Sequence, residues 1–201
     1  MDDIKRQSIK VTLLGDSAVG KTSICNSFLD IDFDSPLPID SGKMNTKMKL
    51  ESGEVIKVNV WDTAGQERYK SISLSIAKRS QGILIIFDLT HRRSFDNVFD
   101  WIESINETTK VAIVLVGNKF DSKNREVSKE EAEKLAKEYN LPYFESSAKL
   151  GINIKEAFSK VVNDAYKKLS FQNVIELKDK KIEKKERVGC FGLKKKKKEK
   201  K

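Results

Sequence analysis

The stretch that decides the fold is Gly15-Asp16-Ser17-Ala18-Val19-Gly20-Lys21-Thr22. Residues 9–14, just before it, predict a strand, and residues 22–30, just after it, have the spacing of an amphipathic helix. A G-x-x-x-x-G-K-T loop in this setting turns backbone N–H groups inward around phosphate oxygens, while its lysine reaches the outer phosphates. The stretch therefore predicts a phosphate-binding loop. Many ATPases share such a loop, so it does not identify the base.

Two later motifs address the base: Asn118-Lys119-Phe120-Asp121 and Ser147-Ala148-Lys149. The carboxylate of Asp121 is able to accept both the N1 and the N2 protons of guanine, whereas adenine offers no such pair of donors. Between the loop and these motifs lie Phe33 and the segment Asp62-Thr63-Ala64-Gly65-Gln66-Glu67. Together, in this order, the motifs predict GTP or GDP as the ligand.

The remaining strand signals predict a sheet. Residues 44–50 and 55–61 flank a glycine-containing turn, so we expect them to pair antiparallel. The continuous apolar runs at residues 83–87 and 111–116 are typical of parallel strands that are covered on both faces.

Helical patterns supply that cover. They lie at residues 95–105, 129–139 and 154–169, and Ser128 with Glu131 has the spacing of a capping box for the second. We therefore expect an α/β fold, with a six-stranded, mostly parallel sheet, helices on both faces and the motifs at the carboxyl ends of strands.

Charge divides the chain into two regions. Residues 178–201 hold 13 of the 39 Lys and Arg residues and 4 of the 30 Asp and Glu residues, which leaves 26 of each before them. The net charge of +9 thus arises in the tail. We expect one domain over residues 1–170 and a flexible, disordered basic tail over residues 171–201. A neutral domain argues against nucleic acid as its general partner, while the tail suits an anionic surface.

Cysteine usage and hydropathy address location. Only Cys25 and Cys190 occur, so we do not expect a disulfide framework. We expect a reducing, cytoplasmic compartment instead. The N-terminal ten residues have no apolar core, and the most apolar run, residues 83–87, is too short to cross a bilayer. We expect neither secretion nor a membrane span.

The motifs as a set resemble those of Ras-superfamily small GTPases, and most closely those of the Rab family. The resemblance extends over about residues 8–170. It includes the phosphate-binding loop, Trp61-Asp62-Thr63-Ala64-Gly65-Gln66-Glu67-Arg68, Ser94-Phe95-Asp96-Asn97-Val98 before Trp101, and Glu145-Ser146-Ser147-Ala148-Lys149. It implies the G-domain fold and a monomeric switch in vesicle traffic, peripheral on the cytosolic face of endomembranes. Its implied partners are a GTPase-activating protein, an exchange factor and effectors, bound through residues 34–45 and 63–79.

The resemblance also implies roles at the phosphate end. Lys21 would neutralise β- and γ-phosphate charge, Thr22 would ligate Mg²⁺, and Asp62 would hold the metal through water. The Gly65 amide would contact the γ-phosphate, and Gln66 would orient the attacking water. Hydrolysis without an arginine from a partner is slower by roughly 10³ to 10⁵ in such sites, so an activating protein is implied.

At the base end the resemblance assigns the remaining residues. Asn118 and Asp121 would recognise guanine, Lys119 would lie over the ring, the Ala148 amide would meet the guanine oxygen, and Phe33 would stack on the opposite edge.

One departure from the family pattern concerns residues 34–43, where the family has a threonine that closes on GTP. No threonine is present there, and either Asp40 or Ser41 takes its place. An aspartate carboxylate is able to ligate Mg²⁺ but also repels the γ-phosphate, and Asp40 is otherwise an unpaired, solvated carboxylate. We hypothesise that this segment closes weakly on GTP.

A second departure is the carboxyl end. Cys190-Phe191-Gly192-Leu193 has the form of a prenylation box but is internal, so we expect no prenylation of this chain. The basic tail, with or without acylation of Cys190, would instead hold the chain at an anionic membrane surface.

An alternative function remains open at this point. With Pro36 and Pro38 in the atypical segment, the chain could bind GDP or GTP constitutively as a scaffold with little or no hydrolysis. In that case Gln66 would be a surface glutamine without a chemical role.

Overall fold

The strands and helices lie in the part of the chain that the computed structural model describes, which is residues 8–31, 43–63, 70–105 and 111–171. The strands are β1 (Ser8–Leu14), β2 (Lys43–Lys49), β3 (Val55–Trp61), β4 (Gly82–Asp88), β5 (Ala112–Asn118) and β6 (Tyr143–Glu145). The helices are α1 (Lys21–Phe28), α2 (Lys70–Ala77), α3 (Arg92–Asp96), α4 (Val98–Ile105), α5 (Lys129–Glu138) and α6 (residues 154–171).

The six described strands form one sheet in the order β2-β3-β1-β4-β5-β6. All neighbouring pairs are parallel except β2 with β3, which are joined by the predicted hairpin. The predicted α/β fold with a six-stranded, mostly parallel sheet is therefore confirmed. Because β1, β3, β4 and β5 run in the same direction, their carboxyl ends meet at one edge, where ligands of such sheets bind.

Helices cover the two faces of the sheet through different residues of the same strands. On one face, Ile83, Ile85 and Phe87 pack in a cluster that includes Trp101 and Ile105 of α4. Successive strand residues point to opposite faces, so Gly82 lies on the other face. A β-carbon at Gly82 would lie 2.9 Å from Val161 of α6.

α1 and α6 meet on that second face. The rings of Phe28 and Phe158 stack there with centroids 3.7 Å apart. The predicted cover on both faces is thus confirmed.

The structure differs from the sequence prediction in one helix and adds two elements. The helical pattern at residues 95–105 forms two helices, α3 and α4, which meet at Asn97. Asn97 directs its side-chain amide toward the phosphate-binding loop, as described below. The sequence did not single out β6, which is only three residues long and half-buried, or α2, whose serines favour a helix weakly.

The chain divides into two units, Met1–Tyr166 and Lys167–Lys201, and only residues 167–171 of the second are described. The domain boundary expected near residue 170 stays a prediction, and the basic tail beyond residue 171 lies outside the described residues. None of the described helices is long and apolar enough to cross a membrane.

The predicted capping box at α5 is present. The Ser128 hydroxyl accepts from the Glu131 N–H at 3.2 Å, and the Glu131 carboxylate accepts from the Ser128 N–H at 3.1 Å. Glu131 also accepts from Arg92 at 2.7 Å, which ties α5 to the start of α3. These hydrogen bonds, the Arg92 bond first, hold the pKa of Glu131 at about 2.

We expect Ser128→Ala to lower the free energy of unfolding by about 1 kcal/mol, because the Glu131 N–H loses its acceptor. The midpoint of thermal unfolding should fall by about 2–4 °C at a fixed GDP concentration. Ser75→Ala, on an exposed position of α2, is the matched control and should leave the midpoint unchanged or slightly higher. An equal fall in both variants would contradict the role of the cap.

Candidate nucleotide site

The phosphate-binding loop has a backbone that only glycine permits at two positions. Gly15 has a φ of 141° and Gly20 a φ of 96°, and Ala18 between them is left-handed at 62°. A β-carbon would lie 2.1 Å from the Ile86 carbonyl oxygen at Gly15, and 2.3 Å from the Asn118 amide nitrogen at Gly20. The loop is therefore pressed against the ends of β4 and β5. Such alternating backbone conformations form concave sets of N–H groups that bind anions.

Lys21 begins α1 and is buried in this loop. Its Nζ donates to the carbonyl oxygens of Gly15 at 2.9 Å and Asp16 at 2.5 Å. Burial lowers the pKa of Lys21, while the negative charges of Asp62 and Asp16 act in the opposite direction. A phosphate in the loop would supply the negative charge that a buried ammonium lacks.

Thr22 and Asp62 lie side by side below the loop. The Thr22 hydroxyl donates to Asp62 Oδ2, whereas Asp62 Oδ1 is buried and has no hydrogen-bond partner among the described residues. Burial raises the pKa of Asp62, although the Thr22 hydrogen bond and Lys21 oppose this. A buried carboxylate oxygen without a donor fits a cation or a cation-bound water.

Two cavities in the described part of the chain are lined by predicted site residues. The first, of about 400 Å³, is lined by Ser17, Ala18, Gly20, Lys21, Thr22, Ser23, Asp62 and Thr63. The second, of about 410 Å³, is lined by Ser27, Asp30, Ile31, Ala148, Lys149, Gly151, Ile154 and Lys155. The first is lined by the predicted phosphate and metal residues, and the second by Ala148 and Lys149 of the Ser147-Ala148-Lys149 motif.

Asn118 holds the base motifs and the phosphate loop together. Its side-chain Nδ2 donates to the Val19 carbonyl oxygen at 2.9 Å, and its Oδ1 accepts from the Ala148 N–H at 3.2 Å. The side chain thus spans the loop after β1 and the loop after β6. Its two bonds position the site, in addition to the base-recognition role that the sequence predicts.

Asp121 is exposed, and one of its carboxylate oxygens is held in place. Ser147 Oγ donates to Asp121 Oδ1 at 2.6 Å, and the Leu150 N–H donates to Ser147 Oγ at 3.1 Å. A carboxylate fixed by one hydroxyl retains acceptor capacity for a ligand.

Asp88, the last residue of β4, was not predicted from the sequence as a site residue. Its Oδ2 forms an ion pair with Lys119 Nζ at 2.5 Å, and its Oδ1 accepts from the backbone N–H and the hydroxyl of Thr90. Asp88 therefore fixes the direction of Lys119, which has a left-handed φ of 67°. The available signal was an acidic residue that ends an otherwise apolar run.

The hydrogen bonds of the Asp16 carboxylate were also not predicted from the sequence. The carboxylate accepts from Asn97 Nδ2 at 2.6 Å and from Trp101 Nε1 at 2.9 Å, so this side chain points to α4. The Lys70 ammonium at the start of α2 lies 4.7 Å from the centre of the Trp101 ring. Asn97 and Trp101 were visible in the family-like motif, although no function follows from their spacing alone.

Several predicted site residues lie outside the described residues. These are Phe33, Gly65, Gln66, and the alternatives Asp40 and Ser41. Their predicted roles stay predictions. The described part of the site is the loop after β1, Asp62 after β3, and the loops after β5 and β6.

Comparison with known proteins agrees with this geometry. The sequence profile of the Ras family matches residues 10–167. Ras-related protein Rab-13 of Rattus norvegicus is 40% identical over 161 residues, which are 77% of this chain and 78% of that protein. Ras-related protein Rab-26 of Homo sapiens is 40% identical over 162 residues, which are 78% of this chain and 63% of that protein. The chain belongs to the Ras family of small GTPases and is Rab-like.

Proposed function

We propose that this chain binds GTP or GDP with Mg²⁺ and slowly hydrolyses GTP to GDP and phosphate, as a monomeric switch in vesicle-mediated transport. The observation that carries the proposal is the arrangement of buried Lys21 with Thr22 and Asp62 below a loop in which two glycines leave no room for a β-carbon. Its place of action would be the cytosolic face of endomembranes. Its partners would be an activating protein, an exchange factor and effectors.

Guanine recognition is assigned to Asp121 and its neighbours. The Asp121 carboxylate is oriented by Ser147, and it is the side chain that pairs with the N1 and N2 protons of guanine. The Ala148 N–H is already held by Asn118 Oδ1 at 3.2 Å, a long bond that leaves room for a second acceptor. ATP lacks the donor pair that Asp121 requires, so it should not compete.

The metal site is supported by the donors present. Mg²⁺ takes oxygen ligands and is usually bound by one or two protein groups together with phosphates and waters. Thr22 and Asp62 provide such groups, and among the described residues no cluster of three or more acidic, histidine or cysteine side chains offers an alternative. When bound, Mg²⁺ would neutralise phosphate charge.

Hydrolysis itself would need little covalent work by the protein. The roles of this chain's residues are to hold the phosphates with Lys21 and the loop amides, and to orient a water with Gln66. Because no arginine is assigned to the site, the intrinsic rate should be slow.

Gly20→Ala tests the close approach of the loop to Asn118. We expect it to weaken binding of a fluorescent GDP analogue by at least about 100-fold, since the new methyl group displaces an amide that fixes both ends of the site. Gly53→Ala is a matched control: Gly53 has a similar φ of 90°, but a β-carbon there meets nothing within 4 Å. It therefore carries the same backbone strain without the clash. Equal affinity in the two variants would refute the role assigned to the contact.

Single-turnover hydrolysis of GTP tests the proposed reaction. Nucleotide-stripped full-length protein with Mg²⁺ should release phosphate slowly, Lys21→Ala should neither bind nor release, and Gln66→Leu should bind GTP but release at least about tenfold more slowly. Measurement of free phosphate together with bound nucleotide separates these cases. Tight GTP binding without release above buffer would favour the scaffold alternative.

Restoring a threonine at residue 40 or residue 41 tests which of the two takes the place of the family's threonine. If Asp40 takes the place of the family's threonine, Asp40→Thr removes a negative charge near the γ-phosphate and returns a hydroxyl, so it should raise affinity for a non-hydrolysable GTP analogue relative to GDP by about tenfold. Ser41→Thr is the matched control, and the larger gain identifies the equivalent position. A closed, protease-protected segment in the unmodified protein with the analogue bound would instead contradict weak closure.

A further inference from the structure

One face of the first three strands carries an unusual set of charges. β1, β2 and β3 together contain five lysines and no acidic residue, although residues 1–177 hold equal numbers of basic and acidic residues. We call this surface the lysine face, and it consists of Lys10, Lys43, Lys47, Lys49 and Lys57 with Val55 and Trp61.

The strand register places all five lysines on the same side of the sheet. Lys47 is directly opposite Lys57, Lys43 is opposite Trp61, and Lys49 is opposite Val55. β1 pairs with the other edge of β3, and there Lys10 is opposite Asn59. Because side chains alternate along a strand, these residues face one way, while Ile56, Val58 and Val60 face the core.

The lysine face is open to solvent in the described part of the chain. Lys43, Lys47, Lys49 and Lys57 are exposed, and Val55 retains 64% of its accessible surface. With about 3.4 Å per residue and 4.8 Å between strands, the face measures roughly 20 by 10 Å. None of its lysines has a carboxylate partner among the described residues.

Local electrostatics show that these charges act on one another. Lys10 Nζ lies 4.4 Å from the centre of the Trp61 ring and Lys43 Nζ lies 5.5 Å from it, so both cations share one aromatic ring. The pKa of Lys10 is lowered by burial, and by the positive charges of Arg79 and Lys43. The face is thus a site of unbalanced positive potential.

Protection of a sheet edge explains only part of this pattern. Lysines on an edge strand prevent association with other strands, and β2 is such an edge. Lys57 and Lys10, however, lie on interior strands, and like charges directly opposite each other, such as Lys47 and Lys57, destabilise a sheet. A cost of this kind is consistent with a role in binding.

We infer that the lysine face docks an acidic polypeptide segment of a partner protein. The segment would lie along β2, so that carboxylates spaced two residues apart meet Lys43, Lys47, Lys49 and Lys57. A polypeptide is favoured over a membrane because Lys43 belongs to the proposed partner-binding residues 34–45, and because β2 is an edge strand of the sheet that the described residues form. In this respect the inference rests on the proposed function.

A single substitution separates docking from folding. Lys57→Glu places an acidic side chain opposite Lys47, so it removes a repulsion and creates an attractive cross-strand pair. It also removes one cation from the face and neutralises a second. We therefore expect a thermal unfolding midpoint equal to or above that of the unmodified chain, together with weaker binding of an acidic probe.

The probe is a fluorescein-labelled peptide with six Glu-Thr repeats, measured by fluorescence anisotropy with full-length, GDP-loaded protein. Lys57→Glu should weaken its binding at least about fivefold, and the loss should shrink at high salt. Lys134→Glu, an equal charge change on an exposed position of α5, leaves the lysine face intact and should have much less effect. Because every variant keeps the basic tail, binding by the tail cancels in the comparison. Equal affinities of the two variants would overturn the inference.

Carbodiimide coupling of the probe to the unmodified chain provides an independent measurement. Links from probe carboxylates to Lys47 and Lys57 support the inference, whereas links confined to the tail lysines overturn it. Vesicles containing phosphatidylserine test the other source of negative charge. If Lys57→Glu weakens vesicle binding but not peptide binding, the face is a membrane surface and the inference is wrong.

The same variants distinguish this inference from the proposed function. Lys57 is remote from the groups assigned to GTP hydrolysis, so Lys57→Glu should hydrolyse GTP at the unmodified rate. Failure of the unmodified protein to hydrolyse GTP refutes the proposed reaction and leaves the probe comparison valid. Normal hydrolysis with no contribution of the face to probe binding refutes only the docking inference.

Discussion

The site depends most on the side chain of Asn118. One of its atoms donates to Val19 in the phosphate loop, and another accepts from Ala148 in the loop after β6. The last residue of an interior strand thus holds the phosphate loop and the loop after β6 in place. The same amide forbids a side chain at Gly20, because a β-carbon there would lie 2.3 Å from it. The requirement for glycine in this loop is therefore a consequence of how closely β5 approaches it.

Burial of charge below the loop makes the site dependent on its ligand. The pKa of Lys21 is lowered and that of Asp62 is raised, in both cases chiefly by burial. Lys21 is charged at any pH below its lowered pKa, and Asp62 is charged at any pH above its raised pKa. Burial makes both charged forms costly in the folded state, so at neutral pH both groups lower the free energy of unfolding. Phosphates beside Lys21 and a cation beside Asp62 would offset that cost. Bound nucleotide should accordingly contribute much of the stability of this region.

Local motifs made the fold and the chemical identity of the site predictable from the sequence. A strand, a glycine-rich loop and a helix in succession predict a phosphate site, and Asp121 predicts guanine, because each prediction follows from residues that are adjacent in the chain. The ion pair between Lys119 and Asp88, and the two hydrogen bonds that turn Asp16 toward α4, join residues 31 or more positions apart. Such contacts depend on how elements pack, which periodicity does not reveal. The lysine face was hidden for a similar reason: residues 1–177 hold equal numbers of basic and acidic residues, and only the register of β1, β2 and β3 brings its lysines together.

The position of the lysine face limits what it is able to contribute to a switch. A partner responds to the nucleotide only if its affinity differs between the GTP and GDP states. β1, β2 and β3 are held in register by paired backbone groups, and β1 and β3 also by a buried core, so the lysine face should be nearly the same in both states. Discrimination must then come from conformational change within residues 34–45 and 63–79, through which the family resemblance implies that partners are bound. On this argument the lysine face supplies affinity and orientation, and those segments supply the dependence on GTP. A weakly closing segment around Asp40 would make a constitutive electrostatic contact more important, because less of the binding free energy would come from the switch itself.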